Sequence, residues 1–104
     1  MDTKTLNALA EPNRLRIIEL LRQKPYSVND FGRLLNIRQP QVSKHLQTLR
    51  LAGLVDVQTS AQQRIYSLNP DAFFRLEQWV HSFNVLWSNR LDTLDAHLKT
   101  IKKE

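Results

Sequence analysis

The chain has 104 residues, a formal net charge of +5 and a pI of about 10.0, and 41% of its residues are hydrophobic. The hydrophobic fraction is ordinary for a folded protein, and the length predicts one domain over residues 1–104. The absence of cysteine excludes disulfides, thiolate metal sites and thiol redox sensing. No apolar run approaches the ~18 residues of a membrane span, and the N-terminus has no signal-peptide core, so we expect a cytoplasmic protein without membrane association.

The positive charge is concentrated in one part of the chain. Residues 33–50 carry Arg33, Arg38, Lys44 and Arg50 without an acidic residue, whereas five basic and five acidic side chains cancel in residues 68–104. A basic segment in a small domain favours a polyanionic partner, with nucleic acid before a membrane surface. The alternative is a solvated helix face that is basic by chance.

Two short helices are predicted at the start of the chain. The first covers about residues 3–10 and has Leu6 and Leu9 as apolar residues. Pro12 suits the first position of the second helix, because its missing N–H would have no helical partner there. This helix runs to about residue 22.

A helix-turn-helix pattern follows at about residues 28–52. Ser27 and Asp30 have the spacing of a capping box, which starts a helix at residue 28 that ends near residue 36. A second helix runs from about residue 39 to residue 52, and Gly53 is a natural C-terminal stop.

The hydrophobic period then changes from helical to alternating. Val55 and Val57 alternate with polar residues, and a polar turn precedes a returning strand, which predicts a hairpin at about residues 54–68. Asn69 and Pro70 have the order of an N-cap and a first helical residue, and they start a last helix over about residues 70–102. The predicted fold is therefore mainly α with one β-hairpin, in the order α-α-α-α-β-β-α, a winged helix-turn-helix.

An apolar stripe with a mean step of about 3.5 residues runs along the last helix from Phe73 to Ile101. We expect its start (Phe73, Leu76 and Val80) to pack on the protein's own core. The rest would leave an exposed ridge, which predicts a homodimer through the first and last helices. The predicted interface residues are Leu6, Leu9, Phe83, Trp87, Leu91, Leu94 and Leu98.

The helix at residues 39–52 divides by phase into two faces. Val42, Leu46 and Leu49 share the core face. The other face is polar and free of acid, and its side chains can read base edges or bind phosphates in a major groove. It comprises Pro40, Gln41, Ser43, Lys44, Gln47 and Thr48. The alternatives are a solvated face on a structural helix and a module that binds only protein, which would present an apolar or acidic face.

The hairpin carries Gln62, Gln63 and Arg64 near its tip. A wing of this kind can lay an arginine along phosphates or into a minor groove. The alternative is a connecting hairpin without a function of its own.

Two segments resemble the ArsR-type winged-helix repressors. Residues 9–17 (LAEPNRLRI) are similar to the family's L-x-[DE]-P-T-R-L-R-I opening, and residues 39–55 (QPQVSKHLQTLRLAGLV) are similar to its recognition helix and exit. The resemblance implies a homodimeric repressor of a double-stranded DNA operator, relieved by some signal. It assigns DNA contacts to Gln39, Gln41, Ser43, Lys44 and His45. Two features depart from the family: Arg38 replaces the usual serine N-cap, which adds a cation near DNA, and the wing turn has no glycine.

Metal sensors of this family use cysteines or a D-x-H…H set in the last helix. Cysteine is absent, and Asp95 and His97 open such a set without the later histidine. His81 and His97 are 16 residues apart, with no second ligand at i, i+4. We therefore expect no metal site, no cofactor and, because no nucleophile, base and orienting group can be assembled, no enzyme activity.

Overall fold

The computed structural model describes the backbone of residues 1–102 and the side chains of residues 1–94. The chain forms two units, Met1–Phe73 and Phe74–Glu104. Its helices are α1 (Thr3–Leu9), α2 (Pro12–Leu21), α3 (Val28–Leu35), α4 (Gln39–Leu51) and α5 (Pro70–Lys102), and its strands are β1 (Tyr26–Ser27), β2 (Val55–Ser60) and β3 (Gln63–Leu68). This is the predicted order of helices and hairpin, with one strand added. No described helix combines the length and hydrophobicity that a membrane span requires.

The added strand, β1, makes the hairpin part of a three-stranded antiparallel sheet in the order β1-β3-β2. Tyr26 lies opposite Tyr66, and Ser27 lies opposite Ile65. Strand β1 was not predicted from the sequence, because two residues are too short to show an alternating pattern. This strand fixes the start of α3 against the middle of β3.

The core of the first unit lies between the helices and the sheet. Val42, Leu46 and Leu49 are fully buried, which confirms the core face that helical phase predicted for α4. Each such side chain contributes about 1.5–3 kcal/mol relative to an exposed one. With the core side of α4 held in this way, its opposite side must face solvent.

The segment Glu11-Pro12-Asn13-Arg14 joins α1 to α2 through its side chains. The Glu11 carboxylate accepts the backbone N–H of Arg14 at 2.8 Å and so caps α2. The Arg14 guanidinium donates to the carbonyl oxygens of Ala8 at 2.6 Å and Asn7 at 3.3 Å, which are at the end of α1. This part of the family-like motif therefore has a structural role, since both side chains satisfy helix ends.

Helix α3 is fixed at both of its ends. The predicted capping box is present: Ser27 Oγ accepts the N–H of Asp30, and the Asp30 carboxylate accepts the N–H of Ser27 at 3.0 Å. At the other end of α3, Asn36 is left-handed with φ 56°, a conformation that asparagine tolerates better than most residues. These contacts set the position at which α4 begins.

Candidate nucleic-acid interface

The solvent side of α4 carries most of the predicted contact residues. Gln39, Gln41, Ser43, Lys44 and Gln47 are all exposed, and no acidic residue lies in the first turn of the helix. The outer face is therefore polar and positive, with side chains long enough to reach beyond the helix surface. This is the chemistry that recognises base edges and phosphates.

Arg38 precedes α4 as its N-cap residue but makes no side-chain capping hydrogen bond. Its side chain is exposed beside the positive end of the helix dipole. The loss of a cap and the gain of a cation, both predicted from the sequence, therefore occur at the same residue.

His45 lies at one edge of this face and is directed towards α2. Its side chain is only 19% exposed, and Nδ1 lies 3.7 Å from a carboxylate oxygen of Glu11. The structure thus gives His45 a partner within the protein, which the sequence analysis did not find because the two residues are far apart in the chain. Its contact with DNA stays a prediction.

The wing ends in a tight turn. Ser60 pairs with Gln63, so that Ala61 and Gln62 form a two-residue connection. Ala61 has φ 55°, the left-handed conformation that a glycine usually supplies in such turns. Arg64 follows at the start of β3 and is exposed. The predicted wing arginine therefore lies beside the hairpin tip.

A groove separates α4 from the wing and has a volume of about 490 Å³. Its lining residues are Val28, Gln39, Ser43, Gln47, Arg50, Arg64 and Tyr66. It brings three predicted contact residues of α4 together with Arg64. It also includes Arg50, which the sequence analysis counted as a charge but did not place in the site. The spacing of residues 39, 43, 47 and 50 along one helix flank is the signal that could have found it.

The predicted dimer residues belong to both units. Leu6 and Leu9 are half-buried on α1, and the later side chains on α5 are exposed, with Trp87 at 61% and Leu94 at 53%. Val80 is 50% exposed, so the prediction that it packs in the core is wrong, and the exposed apolar surface begins earlier than expected. Phe83 and Leu91 are also exposed, and Leu98 lies outside the described side chains.

The described residues hold no group of three or more histidine, cysteine or acidic side chains that could bind a metal ion. His81 is exposed on α5. Asp95 and His97 lie outside the described side chains, so the incomplete D-x-H set stays a prediction from the sequence.

Residues 11–57 match the model of the bacterial regulatory protein arsR family. The chain is 33% identical over 84 residues to an HTH-type transcriptional regulator of Mycobacterium tuberculosis, covering 81% of this chain and 76% of that protein. This chain belongs to the ArsR family. That family consists of transcriptional regulators and not of enzymes, in agreement with the sequence analysis.

Two further comparisons place this ArsR-family chain among its relatives. It is 42% identical over 71 residues to the biofilm growth-associated repressor of Agrobacterium fabrum, covering 68% of this chain and 61% of the repressor, so it spans less than two thirds of that relative. A homodimeric winged helix-turn-helix DNA-binding domain from Mycobacterium bovis superposes with a TM-score of 0.65 at 26% identity, covering 79% of each chain. The fold of this ArsR-family chain is a winged helix-turn-helix.

Proposed function

We propose that this protein is a homodimeric transcriptional repressor that binds an imperfectly palindromic operator in double-stranded DNA. The observation that carries the proposal is the exposed, acid-free face of α4 beside the wing arginine. A DNA-binding regulator acts where the DNA is, so we expect the protein in the bacterial cytoplasm.

In this proposal, α4 enters the major groove with its outer face towards the bases. Gln41 can pair bidentately with adenine N6 and N7, and Lys44 can donate to guanine O6 or N7. Both side chains are exposed and lie in the half of α4 nearest its N-terminus, the part of a recognition helix that usually reaches base edges.

The remaining predicted contact residues position the protein on the backbone. Arg38 lies at the start of α4 and Arg64 lies on the wing, so the two cations flank the recognition face. Ser43 and Gln47 can donate to phosphate oxygens from the flank of the helix. Such contacts set the register of α4 without reading the sequence.

The dimer supplies a second copy of this surface. The exposed apolar side chains of α5, including Phe83, Trp87 and Leu91, form a surface that a soluble monomer would avoid and that a partner helix would cover. The relative from Mycobacterium bovis is described as homodimeric, which supports the same arrangement here. Two-fold symmetry would place the operator half-sites about 10 bp, or a multiple of that distance, apart.

A gel-shift titration with the DNA upstream of the protein's own gene tests this proposal. We expect binding that weakens steeply as salt is raised and that survives an excess of unrelated DNA. The Lys44→Glu variant serves as the control, because it reverses one charge on the exposed face without touching the core. Binding that is equal for related and unrelated DNA would exclude a sequence-specific regulator.

A further inference from the structure

The groove between α4 and the wing has an arginine on each wall. Arg50 belongs to the α4 wall, on the same flank as Gln39 and Ser43, and Arg64 belongs to β3. Both side chains are exposed. The groove is therefore bounded by two cations that come from different elements of the fold.

The direction of Arg64 follows from the pleat of β3. Residues two apart on a strand lie on the same side of the sheet, so Arg64 shares a side with Tyr66. Tyr66 is buried on the core side, and both residues line the groove. Arg64 consequently faces α4 across the groove, rather than the outer surface of the hairpin.

Neither guanidinium is neutralised within the part of the chain whose side chains are described. The ion pairs there join Arg22 to Glu19 and Arg33 to Asp30, with a His45–Glu11 contact, and none involves Arg50 or Arg64. Two exposed, unpaired cations that line one groove make it positively charged. A groove lined by charge of one sign attracts ligands of the opposite charge, so an anionic ligand is favoured here.

The position of the groove identifies that occupant, given the proposed function. A helix in the major groove and a wing in the neighbouring minor groove are separated by one sugar-phosphate strand. The space between α4 and the wing must then straddle that strand. Val28, the first residue of α3, also lines this groove.

We propose that the groove holds one DNA backbone strand, whose phosphates Arg50 and Arg64 bind from opposite walls. This clamp rests on the proposed DNA binding and adds Arg50 as a backbone-binding residue. Because phosphates are the same in every sequence, these contacts should add equally to the affinity for the operator and for unrelated DNA. They also fix the position of α4 in the major groove.

The test measures the salt dependence of binding to a fluorescently labelled duplex of mixed sequence, with the full chain. We expect Arg50→Gln and Arg64→Gln each to lower the slope of log K against log salt by about 1.8, because the proposed dimer carries each arginine twice, and the double variant to lower it by about 3.6. Between about 200 mM and about 50 mM salt, the fold-increase in affinity should therefore be about 12 times smaller for each single variant than for the wild type. Arg50→Lys keeps the charge and should keep the slope.

Arg22→Gln is the matched control, since it removes the same charge from an exposed arginine at the end of α2 outside the groove. Its slope should equal that of the wild type. A wild-type slope for Arg50→Gln, or an equal loss for Arg22→Gln, overturns the clamp. A wild-type protein that binds no duplex overturns the proposed function instead, so the two failures are distinct.

A second measurement asks whether both arginines bind the same strand segment. On an operator selected in vitro with the wild type, ethylation of one or two phosphates in each half-site should weaken the wild type. The same ethylation should have no further effect on the Arg50→Gln, Arg64→Gln double variant. Interference at separate, distant phosphates for the two single variants would contradict a shared segment.

Discussion

The side-chain amide of Asn69 links the wing to the last helix by bonding to the carboxylate of Asp56. Asn69 Nδ2 donates to Asp56 Oδ1 at 3.1 Å, and its Oδ1 accepts the backbone N–H of Ala72 at 3.0 Å. The backbone N–H of Asn69 also donates to the carbonyl of Leu54 at 2.9 Å. The residue predicted as an N-cap therefore also ties β2 to the first turn of α5.

Removing this side chain should destabilise the fold through both bonds. We expect Asn69→Ala to lower the free energy of unfolding by about 1–2 kcal/mol, the upper part of the range for an N-cap residue. Urea unfolding followed by circular dichroism measures the change. Asn69→Asp keeps the cap but places a second carboxylate beside that of Asp56, so it should also be less stable than the wild type. The double variant Asn69→Asp, Asp56→Asn should recover part of that lost stability, because it removes the repulsion. A fully stable Asn69→Ala protein would contradict the role of the link.

The capping box of α3 predicts a pH-dependent contribution to stability. The pKa of Asp30 is lowered from its ordinary value of 3.8, chiefly because the backbone N–H of Ser27 donates to the carboxylate. The folded state thus favours the ionised form. The ionised carboxylate makes its full contribution to the free energy of unfolding at pH values above the pKa of Asp30 in the unfolded chain. That contribution is lost as the pH falls through the lower pKa of the folded state.

We therefore expect Asp30→Asn to be less stable than the wild type at neutral pH, with the difference narrowing below about pH 3.8. Ser27→Ala should cost about 1 kcal/mol at neutral pH, because it removes the reciprocal bond. Urea titrations of the three proteins across this range provide the measurement. A difference in stability between Asp30→Asn and the wild type that stays constant through the acidic range would show that the ionised Asp30 carboxylate does not stabilise the fold.

Gln41 is predicted to read one base pair. Gln41→Ala should cost about 1–3 kcal/mol on the operator and relax the preference at a single position of each half-site. The stability of the fold should be unchanged, because the side chain is exposed. In vitro selection with both proteins reveals the preference, and unaltered selection by the variant would remove Gln41 from the base-reading set.

The dimer prediction has a control within the same helix. The double variant Trp87→Glu, Leu94→Glu places two charges in the proposed interface and should be monomeric. It should bind the operator poorly, because two separate monomers each lose translational and rotational freedom on binding, whereas the dimer binds both half-sites in one association. Val85 is 48% exposed and lies about 160° around the helix from Trp87, so Val85→Glu should remain dimeric. Sedimentation velocity decides between these outcomes. A wild-type monomer at micromolar concentration, or a double variant that stays dimeric, would refute the interface.

The parts of the fold that local chemistry determines could be predicted from the sequence. Ser27 and Asp30 mark the start of α3, and the buried face of α4 follows from the period of Val42, Leu46 and Leu49. Gly53 ends α4 as expected, because its φ of 78° is accessible to glycine at little cost.

The features that were missed depend on contacts between distant residues. Strand β1 exists through its pairing with β3, and the Glu11–His45 contact joins residues from α4 and the turn before α2. The helical period puts Arg50 on the same flank of α4 as Gln39 and Ser43, but this flank becomes the wall of a groove only because the wing lies beside it. Ala61 takes a positive φ where glycine would be expected, so the turn lacked its usual signal.

The most direct test of the account compares wild type and Lys44→Glu on the DNA upstream of the protein's own gene, by fluorescence anisotropy over a range of salt. Lys44 is exposed on α4, so the variant should keep the circular dichroism spectrum and melting temperature of the wild type. We predict tight, salt-sensitive and sequence-selective binding by the wild type and loss of operator binding by the variant. A folded Lys44→Glu protein that binds this DNA as the wild type does would contradict the placement of α4 in the major groove.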